Sequence, residues 1–258
     1  MDFKNTMQIR NRFIPNYNVA FGTNRRSYCV GPSNDKIYTQ TEVNRPDLDF
    51  REFARTILSE FKDYTDAQIY VMACSDGSEP YTLAMHLNEL DSVAAKKLLP
   101  IKATDRDEII LRYAQSHKLN MTQDDLKRLQ ASGIDYNKYF KLFTPYTVYI
   151  QRDRLERMTK TYDVSDFLKQ SVEFSQKTIL QQVEEMDPNK PKIICCRNVL
   201  PYVGGEDEIF GHLYKIFKKM RKGDLLAIGD FDRDLKLVRE LKFIGMEEIQ
   251  HNVFKKIK

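Results

Sequence analysis

Several common signatures of ligand-binding chemistry are missing from this 258-residue chain. The segment CSDGSEP, residues 74–80, has one glycine where a dinucleotide-binding turn has three, and no phosphate-binding G-K-[ST] loop follows. The four cysteines include no C-x-x-C pair, and the four histidines are scattered. These absences argue against a polyphosphate ligand and against a metal site.

Long hydrophobic runs are also missing. No apolar stretch approaches the roughly 18–20 residues of a membrane span, and the first residues, MDFKNTMQIRNRF, lack the apolar core of a signal peptide. We therefore expect no membrane insertion and a cytoplasmic location. Internal repeats and low-complexity linkers are absent as well, and the hydrophobic fraction of 41% suits a packed core.

Charge is nearly balanced, with a formal excess of +4. Basic residues cluster at 215–222, KIFKKMRK, which indicates solvated helix faces or, alternatively, contact with an acidic protein partner. No known nucleic-acid-binding module is recognisable, so no nucleic-acid partner is expected.

Hydrophobic runs alternate with helically spaced apolar residues from residue 49 onward. Strands are predicted at 68–74, 100–105, 192–196, 225–229 and 252–257, and helices at 49–63, 79–90, 122–131, 136–142, 206–220 and 234–242. This order predicts an α/β fold with a largely parallel, doubly wound sheet and an antiparallel last strand.

Two further segments complete the predicted organisation. Short strands at 148–150, 160–162 and 171–174 predict a small inserted β-subdomain within 144–175. Residues 1–45 are polar and turn-rich, so we expect an N-terminal arm ahead of a main domain at 46–258.

The turn at 74–80 contains two residues that local structure explains and one that it explains only in part. Gly77 permits a sharp bend, and Pro80 suits the first turn of a helix. Glu79 is favourable near a helix N-terminus. Ligands of such sheets bind at the carboxyl ends of the strands, where Glu79 would favour a neutral or cationic ligand over a phosphate.

Asp105 ends the second predicted strand, where an acidic side chain can accept ribose hydroxyls. It could instead cap the helix that follows. Together with the one-glycine turn, however, Asp105 indicates a nucleoside that carries a cation and no phosphate. S-adenosyl-L-methionine (SAM), which yields S-adenosyl-L-homocysteine (SAH), has this chemistry.

Five segments resemble motifs of the CheR-type chemotaxis-receptor methyltransferases. CSDGSEPYTLAM (74–85) resembles CSTGEEPYSLAM, and CRNVLPY (196–202) resembles C-R-N-V-[LM]-I-Y. ATDRD (103–107) resembles A-[ST]-D-I-D, and VEFS (172–175) resembles the V-x-F segment before an N-L pair. TEVNR (41–45) is similar to T-x-F-F-R, so the resemblance covers about residues 37–258.

The resemblance implies a Rossmann-like, SAM-dependent methyltransferase whose acceptor is a protein glutamate. The acceptor protein would be a chemoreceptor, through its cytoplasmic helices, or another signalling protein. The implied cofactor contacts are Thr41, Arg45, Gly77, Glu79, Asp105, Thr178, Ile179, Cys196 and Arg197, and the implied catalytic residues are Asn198 and Tyr202.

Each of these residues would contact a different part of the cofactor or hold a residue that does. Thr41 and Arg45 would bind the methionine carboxylate, for which a guanidinium is well shaped. Glu79 would face the methionine or sulfonium end. Cys196 and Arg197 would lie along the adenosine. Asn198 would hold its turn, and Tyr202 would face the transferred methyl group.

The chain also departs from the family pattern. Ser78 replaces the first glutamate, Thr178-Ile179 replaces the N-L pair, and Pro201 replaces an aliphatic residue beside Tyr202. The family's helical N-terminal domain has no recognisable counterpart in residues 1–36. Two alternatives therefore stay open: a methyltransferase of the same fold with another acceptor, and a non-catalytic SAM-binding interaction module. The sequence does not define the oligomeric state.

Overall fold

The structure, a computed structural model, describes residues 29–30, 36–37, 41–144, 148–152, 155–233 and 235–258. Most of the predicted N-terminal arm lies outside the described residues, so the division at residue 45 stays a prediction.

The described helices and strands alternate along the chain. The strands are β1 (Cys29–Val30), β2 (Lys36–Ile37), β3 (Gln68–Met72), β4 (Ile101–Asp105), β5 (Lys118–Met121), β6 (Phe140–Leu142), β7 (Val148–Arg152), β8 (Leu155–Val164), β9 (Val172–Gln176), β10 (Lys192–Cys196), β11 (Leu225–Ala227), β12 (Met246–Gln250) and β13 (Val253–Lys256). The helices are α1 (Phe50–Phe61), α2 (Ser78–Leu90), α3 (Ser92–Leu98), α4 (Glu108–Gln115), α5 (Gln123–Ala131), α6 (Asp166–Ser171), α7 (Ile179–Glu185), α8 (Glu206–Lys219) and α9 (Leu235–Ile244).

Seven of the described strands form one large sheet in the order β12-β13-β11-β10-β3-β4-β9. The pairs from β11 to β9 are parallel, whereas β13 pairs antiparallel with β11 and with β12. The predicted doubly wound α/β sheet with an antiparallel last strand is therefore confirmed. Strand order reverses between β3 and β10, which is the switch point where such sheets bind ligands.

Two hydrophobic clusters cover the large sheet. One contains the apolar side of α1, including Phe53 and Ile57, together with buried residues of α2 such as Leu83. The other contains residues of α7, α8 and α9, such as Val183 and Leu213. Buried strands flanked by helices explain why β3 and β10 have near-continuous apolar sequences.

Six described strands form a smaller antiparallel sheet in the order β2-β1-β7-β8-β5, with β6 also paired to β8. The strand predicted at 171–174 does not belong to it. That segment is β9, which pairs in parallel with β4 and places Phe174 opposite Ala103. Long-range pairing, which local periodicity does not record, decided this placement.

The prediction of a helix at 136–142 is wrong. A single 3₁₀ turn covers Tyr136–Lys138, and β6 then pairs antiparallel with β8. Strand β5, which the sequence pattern did not reveal, pairs with the same strand. Hydrogen bonding to β8 overrides the short helical pattern here.

Candidate active site

The turn between β3 and α2 requires a glycine at position 77. Gly77 has φ of +88° at the N-cap of α2, a conformation that L-residues avoid. A Cβ there would lie 2.9 Å from Cζ of Phe174 and 3.1 Å from Cε2 of Tyr81. Backbone conformation and close packing therefore both exclude a side chain.

Asp105 ties this turn to the end of β4. Its carboxylate accepts hydrogen bonds from the backbone N–H of Ser75 (3.0 Å) and of Asp107 (2.9 Å). Burial raises the pKa of Asp105, and these backbone donors oppose the rise. The cap of α4 is Asp107, which accepts from the N–H of Ile109 and Ile110. Helix capping therefore does not explain Asp105.

A cavity of about 250 Å³ opens at the switch point of the large sheet. Four predicted site residues lie on its wall: Asp105, Thr178, Ile179 and Tyr202. Thr178 is also the N-cap of α7, where its hydroxyl accepts from the N–H of Gln181. The structure thus brings together residues from the ends of β4, β9 and β10.

A buried charge cluster lies near the N-terminus of α2. The Arg197 guanidinium is 3.0 Å from Oε2 of Glu79, contacts Asp47, and lies 4.8 Å above the ring of Phe50. Burial raises the pKa of Glu79, and Arg197 opposes this rise. The guanidinium is thus held between Glu79 and Asp47, and Arg197 is not among the described residues of the cavity wall.

Glu79 offers an open acceptor at this cluster. Among the described residues, its buried Oε1 atom has no hydrogen-bond partner. A buried unpaired acceptor is costly, and a ligand that donates there would remove the cost. The ammonium of the methionine part of SAM is such a donor, so the cluster fits the cofactor inferred from the sequence.

Arg45 and Thr41 lie on the segment that precedes α1. The Arg45 side chain is 3.8 Å from Asp47 and stacks 5.0 Å above the ring of Phe231. Thr41 is half-buried. Asp47, the shared partner of Arg45 and Arg197, matches no motif, and only its place shortly before the helix cap Asp49 could have drawn attention to it.

Asn198 lies at the junction of three segments. Its φ is +56°, its amide donates to Asp47 (2.6 Å), and its Oδ1 accepts from the N–H of Phe231 (3.1 Å). A Cβ at Gly229 would lie 2.1 Å from that oxygen. These contacts support a positioning role for Asn198, because they hold the turn and do not reach the cavity wall.

Asp232, which the sequence did not reveal, joins the ends of β10 and β11. It accepts from the backbone N–H of Asn198, of Leu200 (2.9 Å) and of Gly229 (2.8 Å). Burial raises the pKa of Asp232 to about 7, and the three backbone donors and Arg197 oppose the rise. The carboxyl group fixes the segment that leads to Tyr202.

Tyr202 ends a 3₁₀ turn, Leu200–Tyr202. Its N–H donates to the carbonyl of Val199 (2.9 Å), and the N–H of Val203 donates to that of Leu200 (3.1 Å). Pro201 removes neither bond, since the first residues of a helical turn need no N–H donor. The proline therefore does not disrupt the turn.

Cys196 contributes a core side chain. It is fully buried in the hydrophobic cluster beneath α7 and α8, and burial raises the pKa of its thiol. Only its backbone could contact a ligand. Ser78 is also buried, and its carbonyl accepts from the Thr82 hydroxyl (2.7 Å).

The doubly wound sheet, with a cavity at its switch point, defines a Rossmann-like α/β protein of the kind that binds nucleoside ligands. Residues 39–249 match the family described as CheR methyltransferase, SAM binding domain. The chain belongs to this CheR family, and the predicted SAM-binding methyltransferase domain is confirmed.

A curated relative is Chemotaxis protein methyltransferase 2 of Vibrio cholerae serotype O1. It is 27% identical over 164 residues, which cover 63% of this chain and 50% of the relative. The chain thus spans about half the length of the curated relative it matches.

Two solved structures with similar folds are described as methyltransferases, the first of them as a putative S-adenosyl-L-methionine-dependent methyltransferase. One, from Methanococcus maripaludis, is 12% identical, with coverage of 81% of this chain and 86% of its own and a TM-score of 0.38. The other, plantazolicin methyltransferase BpumL in complex with SAH, is 10% identical, with coverage of 70% and 44% and a TM-score of 0.34. Family membership rests on the sequence match.

No described helix combines the length and hydropathy that crossing a bilayer requires.

Proposed function

We propose that this chain transfers the methyl group of SAM to a glutamate carboxylate of a protein, either a chemoreceptor or a related signalling protein. Membership of the CheR family supports the proposal, as does the similarity to a chemotaxis methyltransferase. The observation that carries it is the cavity at the switch point, where Tyr202 lies on the same wall as Asp105 and Thr178.

The acceptor explains why the site needs no strong base. A glutamate side chain has a pKa of about 4.3 and is ionised at pH 7. SAM supplies a methyl group attached to a positive sulfur. The remaining work of the protein is to hold the reacting atoms in line, which is a matter of positioning.

Each residue would contribute one part of that positioning. Asp105 would accept the ribose hydroxyls, Oε1 of Glu79 would accept the methionine ammonium, and Arg45 would bind the carboxylate. Tyr202 would lie beside the sulfonium, a favourable partner for an aromatic ring. Asn198 would hold the turn that presents Tyr202.

Radiolabelled SAM distinguishes this function from its rivals. Purified protein is mixed with chemoreceptor cytoplasmic fragments or host lysate, and the label on protein is treated with mild base. Label released by base indicates carboxyl esters and supports the proposal. Base-stable label indicates another acceptor, and SAM binding without transfer indicates an interaction module.

A glutamate-specific control completes the experiment. Labelled fragments are digested, and the modified residue is located by mass spectrometry. Replacing that glutamate by glutamine should abolish the label, because an amide cannot form the methyl ester. Label that persists at another residue type would contradict a glutamate acceptor.

A further inference from the structure

We propose that His212 recognises the adenine 6-amino group of SAM, with its ring Nε2 as hydrogen-bond acceptor. The proposal relies on SAM binding, which family membership shows, and on the roles proposed above for Asp105 and Glu79; it is independent of the methyl acceptor. His212 lies on α8, outside every motif singled out in the sequence.

The hydrogen bonding of His212 fixes its tautomer. Its Nδ1 is 2.7 Å from the carbonyl oxygen of Glu208. A carbonyl oxygen can only accept, so Nδ1 carries the proton, and Nε2 of the neutral ring has a free lone pair. The half-buried ring lines the same cavity as Asp105 and Tyr202. His212 therefore brings a defined acceptor to this cavity.

The cavity is where the base of SAM should lie. Asp105 marks the ribose, and Glu79, which marks the methionine end, is not among the described residues of the cavity wall. The base must extend from the ribose in the other direction, toward α7 and α8. Apolar side chains there, Ile179, Val199 and Val203, suit the faces of a purine.

Apart from the carboxylate and the tyrosine hydroxyl that are assigned above to the ribose and the sulfonium, the other polar side chains of this wall are poorly suited to bind an amino group. Arg106 and Lys177 can only donate hydrogen bonds. The hydroxyl oxygen of Thr178 already accepts from Gln181 (3.2 Å) as the cap of α7. The adenine amino group is a donor and needs an acceptor, which Nε2 of His212 supplies.

Two ligands that differ at one position test this assignment. Calorimetry compares SAH with S-inosyl-homocysteine, in which an oxo group replaces the 6-amino group. The wild-type protein should prefer SAH by about 10-fold or more, because an oxo group facing a lone pair leaves a buried acceptor unpaired. His212→Leu should reduce this preference to within about 2-fold.

A conservative variant separates hydrogen bonding from packing. His212→Gln keeps an acceptor of similar reach and should retain part of the preference. Lys215→Ala, an exposed change on the same helix, should leave both affinities unchanged. If His212→Leu weakens both ligands equally, or keeps the wild-type preference, the assignment is wrong.

Nitrogen NMR of the wild-type protein decides the matter even if the leucine variant does not fold. At pH 8 the free protein should show Nδ1 protonated and Nε2 unprotonated. SAH should shift the Nε2 resonance in the direction of an accepted hydrogen bond, and S-inosyl-homocysteine should not. The opposite tautomer, or an Nε2 resonance that does not shift when SAH binds, would overturn the proposal.

Discussion

At the scale of single residues, two acids near the end of β4 have separate tasks. Asp107 caps α4, whereas Asp105 faces the cavity and holds the turn after β3. We expect Asp105→Asn to weaken SAH binding by about 10-fold or more, since hydrogen bonds to a charged group contribute about 1.5–3 kcal/mol. Calorimetry measures the loss. Glu108→Gln, exposed on α4, is the control, and an unchanged affinity for the Asp105 variant would refute the ribose assignment.

Tyr202 should affect turnover more than cofactor binding. Removing its hydroxyl in Tyr202→Phe leaves the ring, so we expect SAH affinity to change little. We expect kcat to fall by roughly 10-fold, which corresponds to about 1.4 kcal/mol of transition-state stabilisation. Steady-state kinetics and calorimetry together separate the two effects. Tyr214→Phe, on the exposed side of α8, should change neither quantity, and a larger loss of affinity than of kcat in the Tyr202 variant would contradict this role.

At the scale of elements, the turn before α2 requires its glycine, whereas the middle of α8 does not. Gly77→Ala should destabilise the protein by about 1–3 kcal/mol, because it combines a left-handed conformation with contacts to Phe174 and Tyr81. Gly211→Ala should stabilise it by about 0.5–1 kcal/mol, since α8 leaves open space there. Urea unfolding measures the free energy of unfolding of both variants. If Gly77→Ala stabilises the protein as much as Gly211→Ala does, the turn tolerates a side chain.

Local chemistry explains why some elements and site residues could be predicted. Gly77 and Asp105 follow buried strands, and strand ends at a switch point can be recognised from the sequence. Asp47 and Asp232 could not be found this way, because their bonds to Asn198 join residues 151 and 34 positions apart. The same holds for β5 and β6, which exist only through pairing with β8.

The basic segment at 215–222 is another case in which the sequence does not reveal long-range partners. The ammonium of Lys219 donates to the carbonyls of Glu184 and Met186, and Arg221 donates to that of Asn189. These cations bind backbone carbonyls of the chain itself. Sequence composition registers their charge but not their partners, so part of this cluster is structural.

At the scale of the whole molecule, the segment before α1 and the final hairpin are joined to each other and to the turn after β10. Asp47 binds Arg197 and Asn198, and its carbonyl accepts from Asn252 (2.7 Å), just before β13. The amide of Asn252 also donates to Asp230 (2.7 Å). The segment before α1 therefore holds the turn that leads to Tyr202, and the final hairpin holds that segment through the carbonyl of Asp47.

Asn44 fastens the same N-terminal segment to α2 and α5. Its N–H donates to the Thr82 hydroxyl (3.0 Å), its amide donates to the carbonyl of Arg128 (3.1 Å), and its Oδ1 accepts from Nε2 of His86 (3.2 Å). His86 is buried and stacks on Phe50. Its neutral ring is thus part of the attachment of the segment that carries Arg45 and Asp47.

Protonation of His86 should make the fold sensitive to acid. Burial and the nearby Arg51 lower the pKa of His86 to about 4, although Asp49 and Glu89 act in the opposite direction. Between pH 6.5 and 4 the unfolded chain binds a proton that the folded protein excludes. Stability should therefore fall with decreasing pH in this window, with a His86 contribution of at most about 1.4 kcal/mol per pH unit.

The comparison of variants isolates this contribution. The raised pKa of Asp232, about 7, has the opposite sign, because its folded form retains a proton and loses relative stability as pH rises. A wild-type pH curve therefore combines the contributions of His86, Asp232 and other shifted carboxyl groups such as Asp105. Urea unfolding of His86→Gln should show a weaker loss of stability from pH 6.5 to 4 than the wild type. The exposed control Lys215→Ala, which changes no group that titrates between pH 6.5 and 4, should follow the wild-type slope. Identical slopes for all three proteins would show that His86 is not the acid-sensitive group.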